Sequence, residues 1–288
     1  MHLETPEALA TALGRTYIAD PRTALAAWLA LELGRPLLLE GPAGVGKTDL
    51  ARALAETLGR PLVRLQCYEG LDESRTLYEW DYAKQMLHVQ LLRASGGTEA
   101  SRDIATDSVF DKRFLIARPL LAALESPSPV VLLIDEVDRA DPEFEAFLLE
   151  FLAENQVTIP ELGTIRAAHP PLVLLTTNAT RDMTDALRRR CFHAFLDYPP
   201  PSRELAILEL RIPGIAKDLA EALVRFVEGV RKLDLRKAPS IAETIDWARA
   251  LLALGRSALD RQTVEETLGV LLKYEEDRRK VASSLPRL

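Results

Sequence analysis

Up to about residue 200, short runs of consecutive apolar residues alternate with longer stretches in which apolar positions recur at helical spacing. The runs PLLLE (36–40), PLVRLQ (61–66), VVLLID (130–135), LVLLTT (172–177) and FHAFLDY (192–198) predict strands. The central runs are apolar throughout, as strands are when helices cover both faces of a sheet. Between them, KTDLARALAETLG sets Leu50, Leu54 and Leu58 on one face and closes on Gly59, the residue type that caps a helix C-terminus. DPEFEAFLLEFLAEN opens with Asp141 as N-cap and Pro142 at the first helical position. Its Phe144, Phe147, Leu148, Phe151 and Leu152 keep the helical period. This alternation predicts an α/β fold around a largely parallel sheet.

Two pieces interrupt the pattern. Residues 67 to 117 are more than one crossover needs. Their first part, YEGLDESRTLYEWDY, predicts a loop and a helix, and ASGGTEASRD (94–103) predicts a mobile loop. The simplest use for Tyr68, Tyr78, Trp80 and Tyr82 is to pack this insertion onto its domain. VTIPELGTIRAAHPP (157–171) predicts a hairpin with Gly163 in its turn. The Pro-rich DYPPPSRE (197–204) marks the expected boundary between an α/β domain (1–200) and a smaller all-helical domain (201–288). Helices are expected near 202–211, 216–232, 240–255 and 261–281.

Composition narrows the class. The 288 residues suffice for one large or two smaller domains, and 48% hydrophobic with 27% charged is ordinary globular usage. A net charge of −7 argues against non-specific nucleic-acid binding, although not against a local basic patch. Cys67 and Cys191 lack the paired spacing of a zinc site and make no disulfide framework, so a reducing compartment, the cytoplasm, is expected. The N-terminal MHLETPEALATALG does not read as a signal peptide, and no run of about 18 apolar residues predicts a membrane span. His88 and His169 show no ligand pattern and are expected to be structural or surface residues.

The strongest chemical signal is GPAGVGKT (41–48), which fits G-x-x-x-x-G-K-[ST] between a predicted strand and a predicted helix. Gly41, Gly44 and Gly46, with Pro42, Ala43 and Val45 between them, let the backbone N–H groups turn toward phosphate oxygens. Lys47 is placed to reach the β- and γ-phosphates of ATP, and the Thr48 hydroxyl to ligate Mg²⁺. The partner acid is expected at a strand end: Asp135 follows five apolar residues and suits Mg²⁺, and Glu136 beside it suits polarisation of the attacking water. Asn178, after LVLLTT, can hold that water or the γ-phosphate, because an amide both donates and accepts.

In this order the motifs resemble those of the AAA+ ATPases. GPAGVGKT resembles Walker A, VVLLIDE Walker B, LLTTN sensor 1, and ALRRRC the arginine-finger segment; the resemblance spans residues 30 to 280. DEVDRA is similar to the acidic motif of the MoxR group. QCYEGLD, LYEWDY, RPLL and DYPPPSRE look most like the ATPases encoded with carbon monoxide dehydrogenase-type molybdenum enzymes. The resemblance implies a P-loop α/β sheet with a helical lid and an ATP-driven chaperone forming a hexameric ring. It also implies a partner with a von Willebrand factor A domain and a client metalloenzyme. In such a ring the insertion and hairpin face the pore or the partner. Three adjacent arginines need an anion, and the resemblance supplies one, the γ-phosphate held by a neighbouring subunit. Arg190 fits the finger position best, Arg189 second, and Arg188 is left to pair with surface acids. One element departs from the pattern. The sensor 2 arginine expected near Ile241 is missing, and Arg236 or Lys237 would have to serve. A nucleic-acid motor or loader, and a ring that binds nucleotide without hydrolysing it, are the competing classes. Acidic balance and the absence of a helix-turn-helix oppose the first; Glu136, Asn178 and the arginines oppose the second.

Overall fold

All five predicted strand runs enter one sheet. They are β1 (Leu37–Glu40), β2 (Leu62–Gln66), β5 (Val131–Asp135), β8 (Leu172–Thr177) and β9 (Phe192–Phe195), in the order β2-β5-β8-β1-β9. β2 and β8 both run parallel to β5, whose residues are buried without exception. The register sets Gln66 opposite Asp135 and Ile134 opposite Leu175, so Asp135 falls beside Thr176 at the carboxyl ends of these strands. The order places β1 between β8 and β9, where the direction of winding reverses; in sheets of this kind ligands gather at that reversal. β9 stops at Phe195, short of the predicted 198, as the chain turns toward Pro199 and Pro200.

The computed structural model describes residues 3–94 and 108–284. Most of the Gly/Ser/Thr-rich part of the insertion therefore lies outside the described residues. The chain folds into two compact units, one formed by residues 26–39 and 54–194, the other by 1–25, 40–53 and 195–288.

The first unit carries the sheet and a core that includes Leu38, Leu121, Leu132, Ile134, Phe151 and Leu175. Helix α3 (Lys47–Leu58) ends on Gly59 in the left-handed region, as its sequence predicts. The insertion is more ordered than a loop and helix. It holds α4 (Glu73–Thr76), β3 (Tyr78–Trp80), α5 (Tyr82–Ala94) and β4 (Leu115–Ala117), followed by α6 (Pro119–Leu124), and β3 pairs antiparallel with β4. Trp80 is buried edge-on against Tyr78 and Phe110, whereas Tyr82 and Tyr68 are exposed, so only part of the aromatic set packs the insertion. The His88 ring packs on Phe114, and His169 is exposed. Helix α7 (Pro142–Glu154) begins after Asp141, but that carboxylate accepts the Gly70 N–H (3.2 Å) instead of capping its own helix. The predicted hairpin is confined to β6 (Gln156–Ile159) and β7 (Gly163–Arg166). Helix α8 (Asp185–Arg190) precedes β9.

The second unit includes α1 (Pro6–Leu13), the start of α2 (Pro21–Leu33), residues 40–53, and the helices α9 (Pro201–Arg211), α10 (Lys217–Arg231), α11 (Ile241–Ala253), α12 (Arg261–Leu271) and α13 (Glu275–Ser284). The single helix predicted over 261–281 is two. Leu272 adopts extended backbone with its side chain in the core, and Asp277 beyond the break accepts the N–H groups of Arg236 and Lys237. The helices share a core around Trp247, Leu223, Val227 and Leu268. A buried polar junction ties them: Glu204 takes the two terminal Arg231 nitrogens (2.5 and 2.9 Å) and the Thr244 hydroxyl (2.9 Å). Glu204→Ala strands a buried guanidinium and is expected to cost about 3–5 kcal/mol. A fall in melting temperature of roughly 5–15 °C would show it in a thermal unfolding experiment.

Candidate active site

The glycine-rich loop lies in the second unit and the acidic strand end in the first, and each is organised by its own neighbours. β1 leads into residues 41–46, which curl before α3 starts at Lys47. Gly41 and Gly44 have φ of +152° and +79°. A Cβ on Gly41 would lie 2.0 Å from the Leu196 carbonyl oxygen, and one on Gly44 2.2 Å from the Ser240 hydroxyl, so neither position admits a side chain. Val45 is buried, Pro42 and Gly46 are half-buried, and Ala43 is exposed. Lys47 is buried and folds back on the loop, its Nζ donating to the Gly41 (2.6 Å) and Pro42 (2.8 Å) carbonyls. Thr48 follows in the first turn. The N–H groups at this helix start lack intrahelical acceptors and carry partial positive charge, which makes the loop a seat for an anion.

A cavity of about 270 Å³ adjoins the loop within the same unit. Tyr17, Ile18, Val45, Leu196, Ile207 and Ile241 are among the apolar groups that line it. Burial, with Asp20 nearby, pushes the Tyr17 hydroxyl above its ordinary range, so it stays a neutral donor. Arg203 and Arg211 in the wall are paired with Asp20 (3.1 Å) and Asp49 (3.0 Å). Neither Arg236 nor Lys237 reaches this cavity: Arg236 lies over the Tyr274 ring (4.1 Å) and Lys237 pairs with Glu243 (3.5 Å). Ile241 stands in the wall, and the cation that α11 sends there is Arg249, which sequence reasoning passed over.

In the first unit, the buried Asp135 carboxylate accepts the Thr176 hydroxyl at Oδ1 (2.6 Å) and the Arg64 guanidinium at Oδ2 (2.6 Å). Glu136 has left-handed backbone, φ 56°, a conformation costing about 1–3 kcal/mol for a residue with a side chain. Its N–H is fixed on Thr176 Oγ1 (2.8 Å). Its carboxylate takes Gln66 (3.0 Å), Arg139 (3.0 Å) and, at 3.5 Å, the Asn178 amide. The structure thus brings Asp135, Glu136 and Asn178 together. Asp138 completes the group by accepting the backbone N–H of Asn178 (3.3 Å) and both N–H and hydroxyl of Thr180 (3.0 and 2.6 Å). Burial raises the Asp138 pKa, but these bonds outweigh it and hold the group below its usual range. Burial together with the charges of Asp135, Asp138 and Glu136 pushes the Cys67 thiol up to about 12, a sign of concentrated negative charge.

Of the residues sequence reading missed, Arg64 and Gln66 are visible as polar positions on one face of PLVRLQ, and Thr176 as a hydroxyl ending a buried strand. Asp138 is the third acid of DEVDRA. The hard oxygen donors of Thr48 and Asp135 are the type Mg²⁺ takes, and Asp135 already draws a cation in Arg64. The arginine segment forms α8; Arg188 is half-buried, and Arg189 and Arg190 are exposed, neither forming an ion pair among the described residues.

A strand–glycine-rich loop–helix of the form G-x-x-x-x-G-K-[ST], in a chain whose parallel sheet ends its strands on acids and an amide, defines a P-loop nucleoside triphosphatase. The family model of the AAA domain, dynein-related subfamily, matches residues 36–191. The chain belongs to that family as an AAA+ ATPase of the MoxR group, and it hydrolyses ATP. Among its relatives, protein NorQ of Paracoccus denitrificans is 26% identical over 78% of this chain and 76% of NorQ. The gas vesicle ATPase GvpN of Haloferax mediterranei is 26% identical over 75% of this chain and 61% of its own length, so the match leaves part of GvpN uncovered. A Staphylococcus saprophyticus protein is 26% identical over 78% of each. Among the described residues no helix is long and apolar enough to cross a membrane.

Proposed function

We propose that the protein is a chaperone-type ATPase that works as a homo-oligomeric, hexameric ring. It remodels a client metalloenzyme of the molybdenum hydroxylase class, together with a partner carrying a von Willebrand factor A domain. The observation that carries the ring is the pair of exposed arginines on α8: two cations without an ion pair among the described residues suit an anion brought by another copy. Family membership supports the chaperone role, and the resemblance of QCYEGLD, LYEWDY and DYPPPSRE supports the client and partner.

In this reading the backbone N–H groups of residues 43–48 and the Lys47 ammonium grip the β- and γ-phosphates, and the adjoining cavity takes the base. Thr48 and Asp135 hold Mg²⁺, which when bound neutralises phosphate charge and fixes the γ-phosphate. Release of Asp135 Oδ2 from Arg64 frees an oxygen for that purpose. Glu136 polarises the attacking water, Asn178 orients it, and Arg190 of a neighbour, with Arg189 beside it, stabilises charge on the transferring group. Residues 201–288 are the lid, in which Arg249 is better placed at the cavity than Arg236 or Lys237. Native mass spectrometry with ATP and Mg²⁺ tests the ring, with six copies expected and a monomer under all nucleotide conditions refuting it. Lys47→Ala is expected to lower affinity for a fluorescent ATP analogue at least about tenfold, because it removes a charge-assisted contact to phosphate. Co-purification with a von Willebrand A protein and large molybdenum-hydroxylase subunits tests the partner and client.

A further inference from the structure

Helix α8 has six residues, far below the ~12–15 at which a helix begins to stand alone in water. Its last turn carries three adjacent guanidinium groups, and the Thr184 side chain makes no capping bond. What holds the helix comes from elsewhere in its unit. At its N-terminal end the fully buried Glu145 on α7 accepts the Thr184 N–H at Oε2 (3.0 Å) and pairs with Arg181 through Oε1 (2.5 Å). The same guanidinium continues to the carbonyls of Ala140 (2.6 Å) and Asp138 (3.3 Å), in the turn that follows Glu136. At the C-terminal end Arg35 donates to the carbonyls of Arg189 (2.8 Å) and Arg190 (3.3 Å) and lies over the Phe192 ring at 4.9 Å.

Each device steadies the helix end it grips, and each also carries a cost. Burying Glu145 carries a desolvation penalty that a well-packed apolar pair avoids. Arg35 sets a fourth guanidinium beside three and adds like-charge repulsion. What they do supply is geometry: a short helix gripped at both ends keeps its axis and its rotation, and rotation decides where Arg189 and Arg190 point.

We propose that Glu145, Arg181 and Arg35 are positioning residues for hydrolysis. They orient α8 so that its arginines meet a neighbouring copy's nucleotide, and through the Asp138 and Ala140 carbonyls they tie that helix to the turn after Glu136. A subunit's own water-polarising glutamate and the arginines it lends are thereby parts of one braced segment. This rests on the reading of α8 as the finger, so its test runs beside that of the finger itself.

Arg181→Gln, Arg181→Lys and Arg35→Gln are compared with Arg190→Ala and Arg189→Ala in the full chain. Circular dichroism checks the fold, and affinity for a fluorescent ATP analogue and steady-state turnover are measured. Arg181→Gln and Arg35→Gln are expected to keep affinity and KM within about threefold while kcat falls about tenfold or more. Arg181→Lys keeps the charge opposite Glu145 and is expected to recover part of the loss. Mixed with Lys47→Ala subunits, whose α8 is intact, Arg181→Gln subunits are expected to regain turnover. Wild-type kcat in folded Arg181→Gln and Arg35→Gln, with Arg190→Ala inactive, overturns the positioning role and leaves the finger reading standing. Active Arg190→Ala and Arg189→Ala remove the finger reading itself. If Arg181→Gln does not fold, the exposed Arg35 carries the test; if neither variant folds, the contacts are structural and the proposal falls.

Discussion

Glu136→Gln is expected to bind ATP about as well as the wild type and to turn it over at least ~10²-fold more slowly. The substitution is close to isosteric, so the left-handed backbone at this position and its N–H bond to Thr176 remain. The amide can still face Gln66 and Asn178, at the cost of its pairing with Arg139. What disappears is the carboxylate that draws a proton from water. Affinity measured with a slowly hydrolysed analogue and turnover measured by phosphate release separate the two effects. Wild-type turnover in Glu136→Gln would remove the assigned role and direct attention to Asp138, the acid of the cluster that has no metal role in this reading.

Arg190→Ala carries the other large effect. An arginine supplied by a neighbour is worth on the order of 10³–10⁵ in rate in related phosphoryl transfer, so turnover is expected to fall into that range while nucleotide affinity holds. The side chain is exposed and makes no ion pair among the described residues, and Arg35 grips the Arg190 carbonyl rather than its guanidinium. The fold is therefore expected to survive the truncation. Complementation is the discriminating measurement: mixed with Lys47→Ala, each variant supplies what the other lacks. Recovery of activity in verified mixed rings supports action in trans; its absence assigns Arg190 a role within its own subunit.

The sheet was legible because each buried strand is a bounded run of apolar residues, and the phosphate loop because its glycines and Lys47 fall at spacings that few other structures require. Asp135, Glu136 and Asn178 were legible as polar residues ending such runs. The contacts that tune them were not. The Arg64–Asp135 pair joins positions 71 residues apart, and only the strand register shows them to be neighbours. The β3–β4 ribbon escaped because strands of three residues leave no measurable alternation. The break after Leu271 escaped because Gly269, the one glycine near it, lies inside the helix and no Pro stands near it; Leu272 and Asp277 impose it through tertiary contacts. Arg249 was not legible as a cavity residue because it lies two turns into α11, and only the packed helix shows that it lines the cavity.

The meeting of Gly44 with Ser240 has a consequence for biosynthesis. The Ser240 hydroxyl sits where a Gly44 side chain would be, and the Ala242 N–H bonds the Gly44 carbonyl (3.2 Å). The phosphate loop is therefore shaped by residues translated about 200 positions later, an interval of roughly 10–40 s at ~5–20 residues per second. During that interval a nascent chain carries its whole Walker A sequence without the partner that completes its packing. Competence to hold ATP is thus expected to arrive with the C-terminal helices, late in synthesis.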